Sequence, residues 1–152
     1  AVLHGGGRYL MARVKTQVIS RNPRYSQAAA DYTKDLKRLV GTAANMVRNT
    51  AVESIQQGAK SGVVYEKYNP RRTHRASAAG EPPATDTGYL VSNIFTNIDT
   101  DGLGASVESR AEYSEFLEFG TKNMQARPFL FPAMEENKPK IRRIALQMVK
   151  FK

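Results

Sequence analysis

Apolar residues recur at three- and four-residue steps along the first third of the chain: Tyr32, Leu36, Leu39, Val40, Ala43, Val47, Thr50 and Ala51. This spacing lays them in one stripe and predicts a helix over residues 26–57. Ser26, after Asn22-Pro23, is its N-cap, and Gly58 ends it. Asp31 and Asp35 beside Lys34, Lys37 and Arg38 give ordinary surface pairs. At about 1.5 Å per residue the helix is roughly 45–50 Å long. That is more than one small domain needs, so its narrow stripe invites a further packing partner. Upstream, residues 1–25 are a Gly-rich, basic arm, flexible or strand-forming, with imperfect alternation predicting a strand over Tyr9 to Ser20. Downstream, Asp86 or Thr87 caps a short helix over Tyr89 to Ile94. Strands at Phe95 to Thr100 and Gly104 to Ser109 follow, joined by the hairpin signal Asp99-Thr-Asp-Gly102. A last helix spans residues 128–150, and Pro139 inside it predicts a kink or break.

The densest apolar stretch runs from Glu112 to Met134 and holds four of the six Phe residues. Tyr113, Phe116, Leu117 and Phe119 suit a short helix with one buried face. Gly120 stops it, and Pro128 opens the next helix, where a missing N–H is harmless. Phe116, Phe119, Gly120, Pro128, Phe129 and Pro132 are therefore the expected structural anchors. Between them, Thr121 to Gln125 is expected to be a surface turn held by Phe119 and Phe129. The pattern as a whole predicts an α+β fold in a single domain, residues 1–152. A long N-terminal helix and a C-terminal helix pack on a small antiparallel β-sheet, and residues 59–86 form a long extended loop.

Composition narrows this picture. Apolar residues make up 41% of the 152 residues, with mean hydropathy −0.49. Part of the chain is therefore expected to be exposed or covered by a partner. The absence of cysteine excludes disulfides and thiolate metal sites. No run of about 18 apolar residues offers a membrane span, and residues 1–10 lack the apolar core of a secretory signal.

The net charge of +9 is uneven: +6 over residues 1–58, +2 over 59–86, −3 over 87–127 and +4 over 128–152. Such polarity suits a polyanion, or head-to-tail packing of subunits. In the 59–86 loop, Arg71, Arg72 and Arg75 interleave with Tyr65 and Tyr68, a pattern that binds nucleic-acid backbone or acidic protein. A solvated, flexible arm is the alternative.

The candidate chemistries fail on context. Gly5-Gly6-Gly7 has no Lys-Ser/Thr or following helix, so it is no phosphate loop. Asp86-Thr87-Gly88 matches the aspartic-protease triplet, but Glu81-Pro-Pro-Ala-Thr before it is no core strand. Glu108, Glu112, Glu115 and Glu118 read as salt-bridge partners, with no histidine at hand. His4 and His74 are isolated. No enzyme, cofactor or metal is expected.

Two segments carry a resemblance. Tyr113-Ser-Glu-Phe-Leu-Glu118-Phe-Gly-Thr121 with Met124-Gln-Ala-Arg-Pro-Phe-Leu-Phe-Pro-Ala-Met134 is one. His74-Arg-Ala-Ser-Ala-Ala-Gly80-Glu-Pro-Pro-Ala84-Thr-Asp-Thr-Gly88-Tyr-Leu90 is the other. Together they resemble the neck, or tail-completion, proteins of long-tailed phages, the group related to lambda's minor tail protein Z. The resemblance covers roughly residues 26–150 and implies structural work in the virion, after assembly in the host cytoplasm. It implies a homo-oligomeric ring, six-fold by analogy, at the junction of the DNA-filled head and the tail. Implied partners are head-closure or connector protein, tail terminator and tail tube, with non-specific contact to DNA in the channel and no membrane. A tail terminator capping the tube, and a non-specific DNA-binding module, are the alternatives. Under the ring reading, Tyr65, Tyr68, Arg71, Arg72 and Arg75 would reach a neighbour. Glu118, Thr121, Lys122 and Arg127 would form a subunit contact, and Lys60, Lys67, Arg71, Arg72 and Arg75 would face an acidic partner or DNA.

Overall fold

The computed structural model describes residues 9–15, 26–68 and 71–150. Along these run β1 (Tyr9–Lys15), α1 (Ser26–Gln57), β2 (Val64–Tyr68), β3 (Arg71–Arg75) and α2 (Tyr89–Ser92). Then come β4 (Ile94–Ile98), β5 (Gly104–Ser109), α3 (Ser114–Phe119) and α4 (Leu130–Lys150). The fold is α+β, as expected, with the two long helices on an antiparallel sheet ordered β1-β5-β4. Of the expected N-terminal arm, β1 is described; it lies at the sheet edge with a bulge between Leu10 and Arg13. The Gly5-Gly6-Gly7 and His4 readings lie outside the described residues.

The stripe of α1 becomes the core. Val40, Ala44, Val47, Ala51 and Ile55 are buried against Ile94, Ala105 and Val107 of the sheet and Phe129, Leu130 and Ala133 of the last helix. Each large apolar side chain buried this way contributes about 1.5–3 kcal/mol. The many alanines let α1 and α4 approach closely. Asn137 sits in that interface, 2% exposed, and its Nδ2 donates to Thr50 Oγ1 and the Ala133 carbonyl, both at 2.8 Å. A buried amide with fixed partners holds α4 in one register on α1. Arg48 Nε donates to the Ile94 carbonyl at 2.9 Å and ties α1 to the start of β4.

Three expectations are corrected. The 59–86 loop contains an antiparallel ribbon, β2 with β3, that is separate from the main sheet. Arg and Lys side chains obscured the strand pattern there, because both faces of a free ribbon are largely wet. The short helix stops at Ser92, since Ile94 is drawn into β4 opposite Ser109. Finally, α4 runs unbroken through Pro139. Its packing on α1 extends to Ile141, beyond the proline.

Candidate functional site

The segment from α3 into α4 folds as a locked corner. Glu118 is 6% exposed, and its carboxylate accepts three backbone N–H groups at the start of α4. Phe129 and Leu130 donate to Oε2 at 2.9 and 3.1 Å, and Phe131 to Oε1 at 2.9 Å. A helix leaves its first N–H groups without partners, and its positive end favours an anion. Glu118 answers both from another helix. Arg127 N–H donates to the Leu117 carbonyl at 2.6 Å, and Thr121 pairs with Met124 across the turn. Gly120 has φ +76°, and a Cβ there would lie 2.8 Å from Ala126 N and Met124 O. Only glycine allows this close approach.

The corner reverses the expected facing of α3. Ser114 and Glu118 are buried and Leu117 partly so, whereas Phe116 is 50% and Phe119 63% exposed. Phe116, Phe119 and Pro132 are therefore not core anchors; Phe129, 1% exposed, is. The reason is the cap. Glu118 must point at α4, and a helix of six residues then turns Phe116 and Phe119 to solvent. Glu118 is likewise withdrawn from the expected subunit contact, and both its oxygens are occupied, so it has no free carboxylate for acid–base work. Thr121 and Lys122 are exposed on the turn, as expected. Tyr113, half-exposed, lies 6.2 Å from exposed Tyr89 of α2, ring to ring. Burial, and then Tyr89, raise the Tyr113 hydroxyl above its ordinary range.

The ribbon projects from a clamped base. Its register pairs Tyr65 with His74 and Lys67 with Arg72 on one face, and Tyr68 with Arg71 on the other. A lone two-stranded ribbon is marginal in water, so the clamp matters. Glu81 accepts Ser61 N–H at 2.9 Å, Ala78 N–H at 2.8 Å and the Ser61 hydroxyl. These bonds, the Ser61 hydroxyl first, hold the Glu81 carboxyl down to about 2. Asp86 binds Lys67 and, at 2.7 Å, Arg72 Nη2. The Lys67 hydrogen bond chiefly lowers its carboxyl. Lys60 Nζ donates to the Ser54 and Pro82 carbonyls, and burial lowers its ammonium.

These tethers correct the reading of the loop's cations. Lys60, Lys67 and Arg72 are engaged inside the chain; Arg71 and Arg75 point to solvent without an internal partner among the described residues. Tyr68 is the most exposed aromatic described, at 77%. Sequence reasoning missed Glu81 and Asp86 as clamps. The signal was faint: an acid at each end of a Pro-Pro-Ala-Thr segment, opposite a ribbon not yet recognised.

The clamp is expected to respond to acid. A carboxyl held below its unfolded value stabilises above the ordinary carboxylate range and loses that contribution as pH falls towards about 2. Amide protection at Ser61 and Ala78 should thus be full near pH 6 and decline between about pH 4.5 and 2. Glu81→Gln should lower it at pH 6 and remove most of the decline. Protection independent of pH in the parent chain would contradict the clamp.

A cavity of about 260 Å³ joins the two regions, its wall including His74 and Asp86 from the ribbon side and Tyr113, Leu117 and Arg127 from the corner. A second, apolar cavity of about 350 Å³ lies between α1, β5 and α4, with Lys138 and Arg142 in its wall. Among the described residues no group of three His, Asp or Glu side chains is placed to hold a metal. No described helix is long and apolar enough to cross a membrane. What the arrangement offers is surface: an aromatic face, a basic and aromatic arm, and a cleft between them. No family model matches this chain, and neither a curated protein nor a solved structure does.

Proposed function

We propose that this chain is a structural protein of a long-tailed phage virion, a ring-forming component of the neck that completes the tail at the head. The observation that carries the reading is the facing of α3. Ser114 and Glu118 are buried, whereas Phe116 and Phe119 lie in water. Folding alone does not favour such an arrangement, and exposed apolar patches mark interaction surfaces. The protruding ribbon, bearing Tyr65, Tyr68, Arg71 and Arg75, supplies a second and distinct surface. Two unlike surfaces on one chain suit a head-to-tail contact, which closes into a ring. Binding to DNA as an isolated module is less favoured, because Asp86 already neutralises Lys67 and Arg72.

Mass measurement tests the proposal on the full chain, alone and mixed with tail tube and tail terminator proteins. A closed ring is expected in at least one mixture. Phe116→Ser with Phe119→Ser should abolish it while leaving thermal unfolding within about 1 kcal/mol of the parent, as for surface changes. A chain that stays monomeric with every neck partner would rule the ring out. Salt-sensitive DNA binding by that monomer would instead favour the DNA-binding module.

A further inference from the structure

The apolar cavity between α1, β5 and α4, about 350 Å³, falls within the roughly 300–1,000 Å³ of cavities that take a guest. Val47 and Val107 in its wall are buried, Met134 and Ile141 are half-buried, and Lys138 and Arg142 are exposed. That gradient places the opening along α4. The two cations are one helical turn apart, so both stand at the opening. Arg142 has no ion pair with a described acid, and Lys138 has Glu135 at 3.4 Å, on the exposed surface. An apolar hollow with cations at its rim is complementary to an apolar group carried beside an acid.

The chain displays that combination on α3. Phe116 and Phe119 are exposed on one face of the helix, and neither brings a polar atom that an apolar wall would strand. Glu112 and Glu115 stand just before them, and neither acid has an ion pair among the described residues. The other exposed phenylalanines described lack this pairing. Phe95 lies under Arg110, and Glu135, one turn on from Phe131, is paired with Lys138. The exposed tyrosines would carry a hydroxyl into the cavity.

We propose that Phe116 and Phe119 of one copy enter the apolar cavity of a second copy, with Glu112 and Glu115 set against Lys138 and Arg142. Among the described residues α3 contributes nothing to the cavity wall, so patch and cavity are different surfaces and the contact is heterologous. The choice of guest rests on the ring reading; the cavity's preference for an aromatic group beside a carboxylate does not.

The test uses the full chain. The Met134 and Ile141 methyl resonances report the cavity, and 3-phenylpropionate, a phenyl group with a carboxylate, is the probe. It should move both signals saturably and bind more tightly than 3-phenylpropanol, and Lys138→Glu with Arg142→Glu should remove that difference. No saturable shift, or equal binding of acid and alcohol, would overturn the cavity's role. Assembly is then read by mass, with tail tube and terminator proteins present wherever the parent needs them. The Phe116→Ser, Phe119→Ser chain keeps its cavity, and the Lys138→Glu, Arg142→Glu chain keeps its phenylalanines. Neither should assemble alone, and mixed they should form a one-to-one pair, because one intact patch then meets one intact cavity. All four positions are exposed, so thermal unfolding should match the parent. If 3-phenylpropionate binds and the parent assembles but the mixed variants do not pair, a second copy is overturned as the guest. If the parent assembles with no neck partner, the ring reading itself fails, and the 3-phenylpropionate result still decides the cavity.

Discussion

Glu118→Ala is expected to destabilise the fold by about 2–4 kcal/mol, a large share of the stability of a domain this size. The substitution removes the acceptor for three N–H groups, two of them on the buried residues Phe129 and Leu130. Each covered donor left without an acceptor costs about 1–3 kcal/mol, with some relief where water enters beside Phe131. The loss of an anion at the helix start adds roughly 0.3–1 kcal/mol. Glu118→Gln keeps one carbonyl oxygen and should recover about half of the loss. Urea unfolding of the three proteins separates these outcomes. A Glu118→Ala protein as stable as the parent would mean that α4 does not depend on the cap. Before α3 and α4 are seen together, Glu118 looks like one more surface acid.

Phe129→Ala should cost about 3–5 kcal/mol, the usual range for a fully buried phenyl ring that leaves a cavity. The ring is packed with Val47, Ala51 and Leu90 in one cluster, so the loss falls on the joint between α1 and α4. At roughly 2–4 °C per kcal/mol for a chain of this length, the melting temperature should fall by about 6–20 °C. Lys122→Ala, on the exposed turn seven residues earlier, should leave melting unchanged and alter only assembly. Equal loss of stability from both substitutions would refute the separation of core from contact surface. The comparison with Phe116 and Phe119 is instructive. Three phenylalanines in fourteen residues look alike in sequence, yet one is core and two are surface.

That difference marks what the sequence could and could not disclose. Long elements were legible because periodicity accumulates: α1 over residues 26–57 and β5 at Gly104–Ser109 match their expected bounds. The turn at Asp99 to Gly102 was legible from its residue types, and Gly102 has the positive φ that such a turn needs. Phe129 was legible as an anchor because it follows Pro128 into a helix with a clear apolar face. Phe116 and Phe119 were misjudged because a six-residue helix has too few positions to average. There a single polar contact, Glu118 on the α4 N-terminus, sets the rotation.

The ribbon's strands are not legible because alternation signals a half-buried sheet, and most of this ribbon's positions are exposed on both faces. The clamps at Glu81 and Asp86, like the cavity around Arg127, join residues some 20 to 50 positions apart. Local pattern carries no record of such pairings. The class of fold, the two long helices, the hairpin turn and the Phe129 anchor follow from short-range spacing and are legible in the residues alone. Which aromatics face water, which charges are already spent inside the chain, and which segments wall the cleft between ribbon and corner appear only once the chain is folded. Each of these depends on what distant segments bring to the same point.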